Sequence, residues 1–75
     1  MITEEAVKKM LLKIVENREL PVLNWAVNYA REGLLMTGEA LRIQCLYILN
    51  NMTSWRGVIA KEVRAVLKEF TKQKD

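Results

Sequence analysis

Apolar residues recur every three or four positions along nearly the whole chain, the spacing of one face of an α-helix. The clearest case is the apolar face of Val7, Met10, Leu11, Ile14 and Val15. No segment alternates apolar and polar residues over the length of a β-strand. The pattern therefore predicts an all-α fold, a compact bundle of four short helices joined by short connections.

Capping residues set the expected ends of these helices. Thr3 can accept a hydrogen bond from a free N–H at the start of the first helix, and Pro21 suits the first turn of the second. Gly33 is expected just past the second helix in the left-handed conformation, with Leu34 folded back toward Tyr29. Caps for the last two helices are Thr37 and Ser54. The predicted helices span residues 4–17, 21–32, 38–51 and 55–72.

The short chain limits how the fold can be stabilised. A chain of 75 residues forms one domain, residues 1–75, and buries only about 60% of its unfolded surface. Small domains often add disulfides, a metal or a partner subunit. Cys45 is the only cysteine and histidine is absent, which excludes an internal disulfide and the usual zinc ligand sets. A partner subunit remains available. Residues 73–75 are expected to fray.

The composition argues against catalysis. Histidine, the commonest general base, is missing. Cys45 is aligned with Leu41 and Ile48 on an apolar face, where a thiol without a neighbouring cation is an inert core residue. The three glycines are too scattered to form a phosphate-binding loop. We therefore expect a non-enzymatic protein with no cofactor, metal or small-molecule substrate.

The distribution of apolar residues also bears on location. The first ten residues, MITEEAVKKM, place acids before bases and lack the apolar core of a secretory signal. The longest unbroken apolar run, residues 45–49, is far shorter than the roughly 20 residues that span a bilayer. These features predict a cytoplasmic protein with no membrane partner.

The second and third helices are apolar around most of their circumference, and such helices need cover on most sides. In the second helix only Asn24, Asn28 and Arg31 form a polar strip. The connection that follows is also apolar, although connections are usually polar. Either the four helices cover these surfaces within a monomer, or a second copy does. We predict a two-fold homodimer, because large exposed apolar patches usually mark interfaces. The predicted interface residues are Trp25, Leu34, Leu35 and Met36.

A row of cations on the fourth helix suggests an alternative function. Lys61, Arg64, Lys68 and Lys72 recur at spacings of three and four and share one helix face. Such a strip is typical of surfaces that bind nucleic-acid phosphates or an acidic protein surface, although a solvated helix face gives the same pattern. Binding through these residues would be independent of sequence and sensitive to salt. Trp55 is expected to anchor the fourth helix in the core rather than to stack on a base.

Overall fold

The computed structural model describes residues 1–73, and all of their regular secondary structure is helical. The predicted all-α bundle of four helices is confirmed. A 3₁₀ turn, Pro21–Leu23, leads into the second helix, where the sequence predicted α-helix from Pro21. The helices are α1 Glu4–Glu16, α2 Asn24–Gly33, α3 Gly38–Asn50 and α4 Val58–Lys72.

The four helices form a closed ring in which each packs against two neighbours. Helix α1 contacts α2 and α4, and α3 contacts the same two helices from the opposite side. The Gly38 N–H donates to Glu4 Oε2 at 2.8 Å, and the Arg42 side chain donates to the Thr71 carbonyl at 3.3 Å. The N-termini of α1 and α3 therefore lie beside the C-terminus of α4, and neighbouring helices run antiparallel.

The core receives apolar side chains from all four helices and from the connection before α4. Burial of each large aliphatic side chain contributes about 1.5–3 kcal/mol relative to exposure. Among the described residues, no buried side-chain nitrogen or oxygen lacks a hydrogen-bond partner. The largest fully buried side chains include Leu11, Ile14, Leu23, Leu41, Ile48, Met52 and Leu67.

Gly33 corrects the predicted end of α2. It is the last residue of the helix, it is buried, and it is not in the left-handed conformation. The Leu34 N–H still donates to the Ala30 carbonyl at 3.1 Å, so the helical hydrogen bonding continues past it. A Cβ at Gly33 would lie 2.9 Å from Leu11 Cδ1. The glycine leaves room for the Leu11 side chain of α1 and the Gln44 side chain of α3, and it does not reverse the chain.

The start of α4 also differs from the prediction. The helix begins at Val58 rather than at residue 55, and Ser54 does not cap it. Trp55 instead belongs to the connection, and its side chain is buried in the core as expected. Gly57, with φ of 116°, precedes the helix and lets the chain turn back after the tryptophan. Val58 and Ile59, in the first turn of α4, are both exposed.

The two threonine caps behave differently. Thr3 Oγ1 accepts a hydrogen bond from the Ala6 N–H at 3.1 Å, as predicted. Thr37 occupies the N-cap position of α3, but its side chain makes no capping hydrogen bond. The Glu4 carboxylate supplies an acceptor for this helix start instead, through the Gly38 N–H. A cap contributed by another helix cannot be found from the local sequence alone.

Gln73 connects the two ends of the described chain. Its side-chain oxygen accepts a hydrogen bond from the Ile2 N–H, and its side-chain nitrogen donates to the Ile2 carbonyl at 3.0 Å. Gln73, the first of the three residues predicted to fray, is thus hydrogen-bonded to Ile2. The other two, residues 74 and 75, lie outside the described residues.

Candidate protein-interaction surface

The four residues predicted to form an interface fall into two groups. Leu34 and Met36 are half-buried and pack against the core, so most of the apolar connection has a role within the chain. Leu35 is 88% exposed and Trp25 is 67% exposed. Trp25 lies in the first turn of α2 and Leu35 lies just past its end, so within one chain these two residues stand at opposite ends of the helix.

Helix α3 carries a second apolar row on the side away from the core, which the sequence analysis did not separate from the buried one. Ile43 and Leu46 are exposed, and Tyr47 beside them is 50% exposed. Glu39 and Asn50 continue the row at either end, at spacings of four, three and four. The buried row of the same helix consists of Leu41, Gln44, Cys45 and Ile48.

Contacts between α2 and α3 join their outer sides into one surface. The rings of Tyr29 and Tyr47 are stacked, with centroids 5.8 Å apart and planes inclined by 27°. The buried Gln44 side chain donates to the Tyr29 carbonyl at 2.9 Å and to Glu32 Oε1 at 3.3 Å. These bonds place the Gln44 side chain of α3 alongside the turn of α2 that contains Tyr29 and Glu32.

We refer to the exposed residues on the outer side of these two helices as the α2–α3 surface. The surface consists of one row of residues from α2 and the connection after it, and one row from α3. The residues of each row are three or four positions apart, as in the seams along which helices pack. The α2 row contains Trp25, Asn28, Glu32 and Leu35, and the α3 row contains Glu39, Ile43, Leu46 and Asn50, with Tyr47 at its side.

The charges of this surface are few and largely compensated. Arg42 donates to both carboxylate oxygens of Glu39, at 2.9 and 2.5 Å. This hydrogen bonding, with the charge of the guanidinium, lowers the pKa of the Glu39 carboxyl below its ordinary value. Glu39 therefore stays ionised and paired at neutral pH. Glu32 accepts the hydrogen bond from Gln44, and lysine is absent from the surface as defined.

Three of the four cations predicted to form a strip on α4 are exposed, and the fourth is half-buried. Lys61, Lys68 and Lys72 are exposed on the outer side of the helix. Arg64 is half-buried, and its guanidinium donates to the carbonyls of Met52 at 3.1 Å and Trp55 at 2.8 Å. Arg64 therefore holds the connection before α4, and the phosphate-binding hypothesis retains three exposed lysines.

A cleft of about 330 Å³ lies between the N-termini of α1 and α3 and the C-terminus of α4. Its lining includes two carboxylates, Glu4 and Glu39, and both are occupied by donors of the chain itself. A general acid needs a carboxyl whose pKa is raised, whereas the pKa of Glu39 is lowered. Within residues 1–73 no cluster of potential ligands could hold a metal ion.

Cys45 is fully buried among apolar side chains, and burial raises the pKa of its thiol from 9.0 to about 12. At pH 8 this shift leaves about a thousandfold fewer thiolates than in an exposed cysteine, and only the thiolate reacts. We expect a thiol reagent to modify Cys45 in the native protein at least 100-fold more slowly than in the denaturant-unfolded chain. Equal rates in the two states would show that the thiol is accessible.

The pKa of Cys45 also has a consequence for stability. Its folded-state value lies above its unfolded value, so the stabilising contribution is complete below pH 9 and is lost as the pH rises toward 12.

The fold and the surface together define a small all-α domain with an exposed apolar face on two neighbouring helices. Comparison with protein-family models, curated proteins and solved structures finds no match for this chain. No helix within residues 1–73 is long and apolar enough to cross a membrane.

Proposed function

We propose that this protein is a non-enzymatic cytoplasmic interaction module that forms a homodimer through the α2–α3 surface. The observation that carries the proposal is the exposed apolar row of α3. A helix that carries apolar residues on opposite sides is usually covered on both, and the rest of the chain covers one. Ile43, Leu46 and Tyr47 form the side that is left exposed.

The size and composition of the surface suit a protein interface. With Trp25 67% and Tyr47 50% exposed, the two aromatic side chains alone offer roughly 250 Å². A standard interface buries roughly 800 Å² per partner, a little more than half of it apolar. Ile43, Leu46 and Leu35 add further apolar area. Of the four polar residues, Glu39 and Asn50 lie at the ends of the α3 row, and Asn28 and Glu32 lie between Trp25 and Leu35. Tryptophan and tyrosine are also the side chains that most often dominate binding energy.

The charges favour a second copy as the partner. The two rows contain two carboxylates, Glu32 and Glu39, and two amides, Asn28 and Asn50. This set is complementary to itself, because each carboxylate can accept hydrogen bonds from an amide. A strongly acidic partner would meet two carboxylates, and a strongly basic one would meet a single carboxylate without a paired cation, Glu32, because Arg42 already pairs with Glu39. Self-association is therefore the simplest way to cover it.

Substitution of Leu46 by glutamate tests the proposal. The wild-type chain of 8.7 kDa is expected to have twice that mass in light scattering after size exclusion. Leu46→Glu should raise the dimer dissociation constant at least about 100-fold, or about 2.7 kcal/mol, because a carboxylate would be buried unpaired in the interface. Its circular dichroism should remain helical, because the Leu46 side chain is 42% exposed in the monomer.

Leu12→Glu is the matched control for this experiment. Leu12 is 48% exposed but lies on α1, outside the α2–α3 surface. The same chemical change there should leave the dimer intact. A wild-type protein that remains monomeric up to millimolar concentration would overturn the proposal, and so would equal weakening by the two substitutions.

The alternative proposal, that the protein binds nucleic acid, has weaker support. It depends on Lys61, Lys68 and Lys72, since Arg64 is engaged with the connection before α4. Three lysines without interleaved aromatic residues would give weak binding with a strong dependence on salt. Replacing Lys61 and Lys68 together by glutamate should abolish such binding without changing the oligomeric state, which separates this proposal from the first.

A further inference from the structure

We infer that the two copies pack antiparallel, with α3 against α3 and α2 against α2, about a two-fold axis that crosses both helices. This inference rests on the proposed self-association and adds its arrangement. The axis passes α2 at the level of Ala30 and α3 between Gln44 and Cys45. Two rows of residues, on different helices, lead independently to this position.

The α3 row matches itself when one copy is reversed. With the axis midway along the row, Ile43 of one copy faces Leu46 of the other, and the apolar pair occupies the centre. Glu39 then faces Asn50 of the second copy at both ends of the row. Apolar side chains thus meet apolar ones, and each carboxylate meets an amide that can donate to it.

The α2 row behaves in the same way. Reversal about the level of Ala30 places Asn28 opposite Glu32 of the second copy, again an amide opposite a carboxylate. It also places Trp25 opposite Leu35 of the second copy. The two most exposed apolar residues of the surface, which stand at opposite ends of α2 within one chain, therefore cover each other across the dimer.

One axis satisfies both rows only if their midpoints are level with each other. The Gln44 side chain, next to the midpoint of the α3 row, bonds to the Tyr29 carbonyl and to Glu32, which lie on either side of the midpoint of the α2 row. The midpoint of the α2 row therefore lies beside the midpoint of the α3 row. The stacked rings of Tyr29 and Tyr47 hold the same register.

A parallel arrangement lacks this complementarity. A two-fold axis parallel to the helices can set α3 against α3 only by placing Glu39 against Glu39, and like charges that face each other across an interface are destabilising. It would also carry the two copies of α2 to opposite sides of α3, so that Trp25 and Leu35 would face no copy of α2. The antiparallel arrangement separates the two Glu39 side chains, pairs both helices with their own copies and opposes the dipoles of the paired helices.

Disulfide formation between two variants that each carry one introduced cysteine distinguishes the arrangements. Glu39→Cys and Asn50→Cys proteins are mixed and oxidised in a glutathione buffer, with the buried Cys45 left in place. In the antiparallel dimer the introduced thiols at positions 39 and 50 face each other. Positions 39 of the two copies lie roughly 17 Å apart along the helix, whereas disulfides join Cα atoms about 4–7 Å apart.

The expected result is a mixed 39–50 disulfide in about tenfold or greater excess over either homodisulfide, because docked thiols react at a high effective concentration. Lys68→Cys, on the outer side of α4, is the control and should form disulfides only at the collisional rate. Light scattering of the reduced variants is measured in parallel. Monomeric reduced variants, with a monomeric wild type, would overturn the proposed self-association.

Dimeric variants that form the 39–39 homodisulfide would overturn the antiparallel arrangement and leave self-association standing. Dimers in which no pair exceeds the control would likewise exclude this register.

Discussion

Replacement of Trp55 by alanine is expected to lower the free energy of unfolding by about 3–5 kcal/mol, as for other buried tryptophans. The same replacement at Trp25 should change it by less than about 0.5 kcal/mol. Trp55 is 5% exposed and belongs to the core, whereas Trp25 is 67% exposed. Loss of the Trp55 ring leaves a cavity beneath the connection that Arg64 holds, so packing and local geometry are lost together.

The comparison is made by urea unfolding in the Leu46→Glu background, so that self-association does not add to the measured stability. Trp55→Phe, expected to give a smaller loss, provides a value if Trp55→Ala does not fold. Equal losses at the two tryptophans would contradict the assignment of one to the core and the other to the surface.

Gly33→Val is expected to lower the free energy of unfolding by about 2–3 kcal/mol, because the added atoms overpack a dense core. Even a Cβ at this position would lie 2.9 Å from Leu11 Cδ1 and 3.4 Å from Gln44 Cγ. The valine therefore forces α1 and α2 apart or displaces the leucine. Ala65→Val is the matched control, since Ala65 is exposed on α4 and should lose only helix propensity, less than about 0.7 kcal/mol.

A double-mutant cycle identifies the contact responsible for this loss. Leu11→Val removes the methyl group that a Cβ at position 33 would meet. Combined with Gly33→Ala, it should cost less than the sum of the two single substitutions, because contacting residues are not additive. Strict additivity would mean that the two helices separate at Gly33 without involving Leu11.

The periodicity of apolar residues was sufficient to predict the helices because it reports directly which side of each helix is buried. It could not locate the start of α4, where Trp55 has the spacing of a helical core residue but reaches the core from a connection. Gly33 was misinterpreted for a related reason. A glycine near a helix end suits a left-handed cap or a close contact equally well, and only the position of Leu11 distinguishes them.

The α2–α3 surface was predictable in part. The sequence indicated that the second and third helices carry too many apolar residues for a small bundle, but not which of them stay exposed. The signal was present in α3, where Ile43 and Leu46 lie opposite Cys45 and Ile48 on the helix circumference. Of the four predicted interface residues, Trp25 and Leu35 are exposed, whereas Leu34 and Met36 are half-buried against the core.

The closed ring of helices has a consequence for the order in which the chain folds. Contacts between successive helices join residues close in sequence, such as Gln44 and Tyr29, which are 15 positions apart. The contact that closes the ring, between Lys13 of α1 and Glu62 of α4, spans 49 positions. Its loop-closure entropy costs about 1 kcal/mol more. The α1–α4 edge should therefore form last, after the three helical hairpins have brought its two sides together.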